Sequence, residues 1–255
     1  MQLNYKSFGT GFPVIILHGL LGSLDNWQTI AKKIGEQFTV YIIDQRNHGK
    51  SPHTDEFGYE LLSADLLEFM DTHNIPQAHL VGHSMGGKVV MQFALHHADR
   101  VAKLVVVDVA PVQYGDRHSD VFGALFAADA EHAESREQVE KVLRAKLDND
   151  ETTVQFLMKG LNRDDDGKHF TWKFNAKVLW DHYTEISDAV TGTPFEGETL
   201  FIKGQKSSYV TSSNYGEIMD LFPDNELVEI KEAGHWVHAE KPAEFTAEVL
   251  KFLLK

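Results

Sequence analysis

Ala78-His79-Leu80-Val81-Gly82-His83-Ser84-Met85-Gly86-Gly87-Lys88-Val89-Val90-Met91-Gln92-Phe93-Ala94 is the stretch whose reading decides the fold. An apolar run over 78–81 meets Gly82-His83-Ser84-Met85-Gly86 and passes into a helical pattern from Lys88 onward. Strand, sharp turn and helix around G-x-S-x-G form the context of a nucleophile elbow. The reason is steric. Such a turn strains the serine backbone, and Gly82 and Gly86 carry no Cβ where strand and helix crowd together. Ser84 Oγ is then expected at the top of a sheet, above a helix N-terminus. The Met85 N–H faces the same space and can bind a developing oxyanion. The bland alternative is a tight β–α turn with an incidental serine; the fit of both flanking patterns argues against it.

Outward from this stretch, buried strands alternate with amphipathic helices. Pro13-Val14-Ile15-Ile16-Leu17 and Thr39-Val40-Tyr41-Ile42-Ile43 are continuous apolar runs, as expected of strands covered on both faces in a parallel sheet. A short first strand is expected over 3–8. A helix starts near Ser23 or Asp25, with Trp27, Ile30, Ala31 and Ile34 on its apolar face, and residues 59–74 place Leu62, Leu66, Phe69 and Met70 at helical spacing. A strand over 101–109 ends in Asp108. Strands alternating with helices imply right-handed βαβ crossovers and an α/β class with a mostly parallel sheet. From 111 to 193 the rhythm changes to helical patterns without a convincing strand: Phe122, Leu125 and Phe126; Val139, Val142, Leu143 and Leu147; Phe156, Leu157 and Leu161. A turn is expected at 164–167 and a short extended piece at 170–174. This insertion reads as a helical cap, dividing the chain into a core of residues 1–110 and 194–255 and a cap of residues 111–193. The sheet resumes over 198–204 and 226–230, and a last helix covers 243–254.

The chain has 255 residues, 42% of them hydrophobic and 24% charged, which suits one domain with an elaboration and leaves material for a sizeable core. A formal net charge of −14 argues against nucleic acid and against an anionic membrane surface as partners. With no cysteine there is neither a disulfide framework nor a thiolate metal site. The first residues, Met1-Gln2-Leu3-Asn4-Tyr5-Lys6, carry no basic segment followed by an apolar one, so a cytoplasmic protein with no membrane span is expected.

A serine nucleophile needs a base and a group that orients the base. Among fourteen histidines, His235 lies after a strand and before a helix, at the carboxyl edge where sites of open α/β sheets gather. His18 and His83 flank tight turns and read as structural; His96, His97, His132 and His182 read as solvated helix residues. His238 follows His235 by one turn. The acid is harder to place. The loop after the strand that follows the insertion, Gly204-Gln205-Lys206-Ser207-Ser208-Tyr209, has no carboxylate. Asp108 follows a leucine and valines at the same edge, where a carboxylate is costly unless partnered. Accepting from the Nδ1–H of His235 would partner it and would fix the tautomer in which Nε2 takes the serine proton. Leu20, in His18-Gly19-Leu20, is the expected second oxyanion donor beside Met85. Asp44 and Arg46 read as an ion pair or turn brace, with Asp44 the runner-up for the acid.

Several segments together resemble the α/β-hydrolase superfamily and, within it, a branch of bacterial esterases with eukaryotic relatives. They are 18–27, 44–52 (Asp44-Gln45-Arg46-Asn47-His48-Gly49-Lys50-Ser51-Pro52), 82–88, 108–111 and 234–242. In the second, Asn47 stands where the superfamily's D-x-R-G-x-G-x-S turn has its first glycine. The resemblance implies an α/β-hydrolase fold with the helical cap inserted after the sixth sheet strand. It also implies a Ser84–Asp108–His235 triad, and carboxylesterase activity on short acyl esters with acyl-CoA thioesters as further substrates. No metal or cofactor is required, and the expected partner is a small acyl ester or thioester, handled by a monomer or homodimer. Phe122, Phe126, Phe174, Trp180 and Trp236 are the candidate pocket residues. Arg117, Arg136, Lys159 and Lys168 are candidates for the phosphates of a CoA leaving group. A C–C bond hydrolase or a lyase of the menaquinone-synthesis type shares Ser and His and remains the alternative. Dehalogenases and epoxide hydrolases need a carboxylate where Ser84 stands. A silent binding protein on this fold usually lacks a triad member.

Overall fold

The computed structural model of the chain describes residues 1–164 and 167–255. The first part of the chain forms β1 (Tyr5–Phe8), β2 (Pro13–Leu17), α1 (Gln28–Ile34), β3 (Thr39–Ile43), α2 (Tyr59–Thr72), β4 (Ala78–His83), α3 (Met85–His96) and β5 (Val101–Val107). An insertion follows, with α4 (Ser119–Ala128), α5 (Arg136–Lys146), α6 (Glu151–Lys159), β6 (Leu161–Arg163), β7 (Phe170–Trp172), α7 (Ala176–Asp181) and α8 (Tyr183–Ser187). The chain closes with β8 (Thr199–Gly204), α9 (Tyr215–Leu221), β9 (Asn225–Ile230), α10 (Val237–Glu240) and α11 (Pro242–Leu253).

Seven strands make one sheet in the order β1-β3-β2-β4-β5-β8-β9. Only the β1–β3 pair is antiparallel. Two-residue periodicity feeds two cores. Ile15, Leu17, Leu104, Val106 and Phe201 point into the core that holds α2 and α3, whereas Val14, Ile16, Val105, Val107, Leu200 and Ile202 point into the core of α1 and α11. That is why these strands are apolar at every position: neither face meets water. Burying each such side chain contributes roughly 1.5–3 kcal/mol. α3 lies between the sheet and its neighbours, and every residue from Met85 to Leu95 is buried.

β2 and β3 run outward to one side of the sheet while β4 and β5 run to the other, so the chain direction switches between β2 and β4. Loops leaving adjacent strands part at such a switch point and open a crevice at their carboxyl ends. The register aligns those ends: Leu17 faces Gly82, and Val107 faces both His83 and Ile202.

The insertion follows the fifth strand of the sheet, not the sixth. The sheet strands β1 to β5 precede it, and residues 1–4 form no strand. Asn4 instead donates through its backbone to Ser51 Oγ (2.8 Å) and through its side chain to Asp44 (2.6 Å). The extended piece expected at 170–174 holds β7, and its partner β6 is a strand that the periodicity does not reveal. β6 and β7 pair antiparallel, with Leu161 opposite Trp172; three-residue strands are too short to show alternation. Of the turn expected at 164–167, residues 165 and 166 lie outside the described residues. Side chains start three of the inserted helices, as Ser135, Asp150 and Asn175 accept from the first backbone N–H groups of α5, α6 and α7. Phe122, Val139, Leu143, Val154, Leu157 and Leu179 join the core on the α2–α3 side of the sheet. The expected apolar faces of the insertion therefore pack on each other and onto that layer.

Candidate active site

Ser84 sits between β4 and α3 with φ 53° and ψ −118°, a conformation most residues avoid. The turn holds because its neighbours have no Cβ. A Cβ on Gly82 would lie 2.2 Å from the Gly86 carbonyl oxygen, and one on Gly86 would lie 2.5 Å from that of His18. The Ser84 N–H donates to the Val107 carbonyl (3.0 Å) and its own carbonyl accepts from the Lys88 N–H (3.1 Å), so the strained residue is tied at both ends.

Asp108 follows β5 and is completely buried. Its Oδ1 accepts from the Gly204 N–H (2.9 Å), and its Oδ2 accepts from His235 Nδ1 (2.7 Å) and from the Ser207 hydroxyl. Three donors satisfy a carboxylate that would otherwise be too costly at that site. Ser84, Asp108 and His235 thus come from loops after β4, β5 and β9. Ser84 and His235 line one cavity of about 210 Å³. Among the described residues no hydrogen bond joins Ser84 Oγ to His235; such contacts commonly tighten only when substrate binds.

Leu20 and Met85 both adjoin Ser84. The His18-Gly19-Leu20 turn leaves β2 directly beside the elbow: a Cβ on Gly19 would lie 3.3 Å from Ser84 Cβ. Leu20, Ser84 and Met85 together line a second, smaller cavity of about 30 Å³.

Sequence reasoning missed Ser207 and Tyr209. Ser207 lies in the loop after β8, which has no carboxylate. Its hydroxyl donates to the Asp108 oxygen that His235 also uses, and accepts from the Tyr209 N–H (3.2 Å). Tyr209 then stacks on the His235 ring, with centroids 4.0 Å apart and planes 18° apart. One hydroxyl therefore braces both Asp108 and the residue packed on His235. Ser207→Ala is expected to lower kcat about tenfold with little change in KM, since a hydrogen bond to a charged group contributes about 1.5–3 kcal/mol. Steady-state kinetics check this; a larger effect on KM than on kcat would place Ser207 in binding instead.

Of the five candidate pocket residues, Trp236 lines the larger cavity. The other four do not line either cavity beside Ser84. Phe122 and Phe174 are spent inside the insertion, Phe174 stacked on Trp172, while Phe126 and Trp180 are 46% and 39% exposed on its outside. Helical periodicity marks a buried face but not what it is buried against. Arg117, His118, Val121, Thr153, Phe156 and Leu157 are the insertion residues that reach the larger cavity. The Asp44–Arg46 pair is also corrected. Arg46 makes a two-pronged ion pair with Asp65 of α2 (2.8 and 3.0 Å). Asp44 braces its turn by accepting from the N–H groups of Leu24 (2.8 Å) and Lys50 (2.9 Å).

Four further histidines surround the site as neutral, structural rings. Gln45 N–H donates to His18 Nε2 (3.1 Å) and Leu21 N–H donates to His48 Nε2 (3.2 Å), so each ring carries its proton on Nδ1, which donates to a backbone carbonyl. His83 Nε2 donates to the His235 carbonyl (2.9 Å), and His238 stacks on Trp27 at 4.1 Å. Burial pushes His18 down to about 4, His48 and His238 down to about 3, and His83 well below its ordinary value. In the unfolded chain the same rings take up protons below pH ~6.5. Between that pH and the depressed values the unfolded state binds more protons, so stability falls as pH falls, while above pH ~6.5 these groups contribute no slope. At pH 5 His18, His48 and His238 each cost about 2 kcal/mol, together comparable with a whole domain's ~5–15 kcal/mol. Thermal melts are expected to collapse between pH 6.5 and 4. A Tm at pH 5 equal to that at pH 7.5 would contradict the neutral assignment.

The comparisons with known proteins agree with this geometry. The family model described as alpha/beta hydrolase fold matches residues 13–242. The esterase YbfF of Escherichia coli (strain K12) is 37% identical over 94% of this chain and 92% of its own. The sn-1-specific diacylglycerol lipase ABHD11 of Mus musculus is 36% identical over 94% of this chain and 80% of its own. Among solved structures, a marine microorganism esterase superposes with a TM-score of 0.95 at 40% identity, covering 98% of this chain and 99% of that one. A switch-point crevice, a strained serine between β4 and α3 and a match across nearly the whole chain lead to one conclusion: this protein belongs to the alpha/beta hydrolase family.

Proposed function

We propose that the protein is a serine carboxylesterase working through Ser84, His235 and Asp108. The observation that carries this is the 2.7 Å contact between His235 Nδ1 and the buried Asp108, with His235 and the strained Ser84 lining one cavity. Asp108 holds the proton on Nδ1, which leaves Nε2 free to accept from Ser84 Oγ as that oxygen attacks the acyl carbonyl. The N–H groups of Leu20 and Met85 receive the charge that develops on the carbonyl oxygen. Collapse of the tetrahedral intermediate breaks the bond to the leaving oxygen or sulfur, and His235 returns its proton to that atom. Water, deprotonated by His235, then releases the acid and regenerates Ser84.

The two cavities divide the substrate. The leaving atom must reach His235, and His235 lines only the larger one. The acyl group therefore occupies the smaller, where about 30 Å³ is room for roughly two water-sized groups. This supports short acyl chains. The larger cavity shares Asn26, Phe156, Trp236 and His238 with an open groove that also holds Lys159, so a long polar leaving group, a CoA thiol included, has a path outward. Residues 111–193 serve as the cap over both, on a core of 1–110 and 194–255. No helix among the described residues is long and apolar enough to cross a membrane, and a cytoplasmic location belongs to the same proposal.

The test is turnover of p-nitrophenyl esters from acetate to octanoate beside an acyl-CoA series. The expected result is hydrolysis with kcat/KM for acetate at least tenfold above that for octanoate. Silence on both series from folded protein would overturn the esterase reading in favour of C–C bond hydrolysis or lyase chemistry.

A further inference from the structure

Lys88 lies one helical turn beyond Ser84 and is only 2% exposed. A primary amine so deep in the fold is costly unless its N–H groups are used. Both carbonyls that its side chain reaches belong to the insertion: Nζ donates to Ser187 (3.0 Å) and to Asp188, at the carboxyl end of α8. Tyr59 of α2 donates its hydroxyl proton to the carbonyl just before them, that of Ile186 (2.6 Å). The segment entering the insertion runs alongside: Tyr114 N–H donates to the Ser187 carbonyl (2.9 Å) and Val190 N–H to that of Pro111 (3.2 Å). The Tyr114 ring lies 4.9 Å from the amine. Both legs of the insertion are thus joined to each other, and the returning leg is tied to α2 and to the helix that carries Ser84. Ser84, Lys88, Tyr114 and Ile186 all line the 30 Å³ cavity.

We propose that Lys88 is a positioning residue that ties the insertion's returning leg to the nucleophile helix and so fixes the size of the acyl compartment. The size argument rests on the esterase reading, whereas the tie itself does not. The ammonium form has three N–H groups and the neutral amine two, so both carbonyls are served in either state. Burial pushes Lys88 down to about 7 against the opposing pull of Asp188, and the tie survives loss of the charge. A methionine at this position would fill similar space and leave the Asp188 carbonyl without its donor.

The experiment compares the full chain with Lys88→Met and Tyr59→Phe by hydrogen–deuterium exchange and by kcat/KM on p-nitrophenyl acetate and octanoate. In Lys88→Met, amides of 183–190 are expected to exchange at least tenfold faster while those of β4 and β5 keep their protection. The acetate-to-octanoate ratio is expected to fall at least tenfold, and Tyr59→Phe to move both readouts in the same direction by less. Exchange at 183–190 within twofold of the parent would overturn the tie. Faster exchange with an unchanged ratio would make Lys88 a structural contact only and overturn its role in selectivity. If Lys88→Met does not fold, Tyr59→Phe decides both points by the same two readouts. If the parent hydrolyses neither ester, the esterase reading fails while the exchange result still decides the tie.

Discussion

Ser84→Ala is expected to lower kcat for ester hydrolysis by ~10⁵ or more while leaving the fold in place. On the proposed mechanism the size follows from loss of the group that forms the covalent intermediate. What remains is water attack helped by binding and the oxyanion donors, which elsewhere sustains ~10³–10⁴ over the uncatalysed rate. The fold is expected to persist because the hydrogen bonds that tie this residue are backbone ones, to Val107 and from Lys88. Alanine carries the same Cβ as serine at φ 53°, so the strain of the turn is unchanged. Circular dichroism and Tm establish folding, and kcat on a p-nitrophenyl ester reads the loss. A folded variant keeping more than about 1% of parental kcat would remove Ser84 from the mechanism.

Asp108→Asn is expected to cost on the order of 10³–10⁴ in kcat, by a route that the hydrogen bonds dictate. Gly204 N–H donates to Oδ1, so the asparagine amide must keep its oxygen on that side. Its NH₂ group then faces His235 Nδ1, where the aspartate accepted. Two N–H groups cannot bond to each other, so the ring moves its proton to Nε2, the nitrogen that must accept from Ser84. Substrate binding needs none of this, and KM is expected to change little. Asp44→Asn is the control. Asp44 braces a turn through the N–H groups of Leu24 and Lys50, so this variant is expected to lose stability rather than kcat. Near-full activity of Asp108→Asn beside an inactive but folded Asp44→Asn would move the acid to Asp44.

The two aspartates also show how far the sequence is legible. Both end apolar strands, and both are buried. Asp108 was preferred because a carboxylate after four buried strand residues needs a partner, and topology brings the loop after β9 within reach of it. Backbone-driven features were readable for the same reason. Continuous apolar runs mark strands covered on both faces, and Gly82 and Gly86 mark where a Cβ would collide. Local spacing suggests an ion pair or turn brace for Asp44 and Arg46; Asp44 braces the turn, whereas Arg46 pairs with Asp65, nineteen residues away on α2. Nothing in local spacing shows which distant carboxylate a loop will meet.

The insertion was hardest to read because periodicity reports burial without naming the partner surface. Phe122 and Phe174 are buried, but Phe122 packs on the rings of Trp180 and Tyr183 and Phe174 on that of Trp172, all inserted residues. Trp236 lines the larger cavity because it is the chain neighbour of His235, which also lines it. Ser207 and Lys88 escaped for a related reason. A serine in a loop and a lysine on a helix are usually solvated, and only the fold shows that Ser207 meets Asp108 and that Lys88 meets the end of α8.

Acylation of the enzyme by a slowly released p-nitrophenyl ester, followed in the first turnover, tests the central claim most directly. The account predicts a burst of p-nitrophenol of about one equivalent per chain. Intact mass should rise by one acyl group, and peptide mapping should place that group on Ser84. Steady release without a burst, from protein that carries no acyl group while it turns over, would contradict it, as would an acyl group mapped to any other residue.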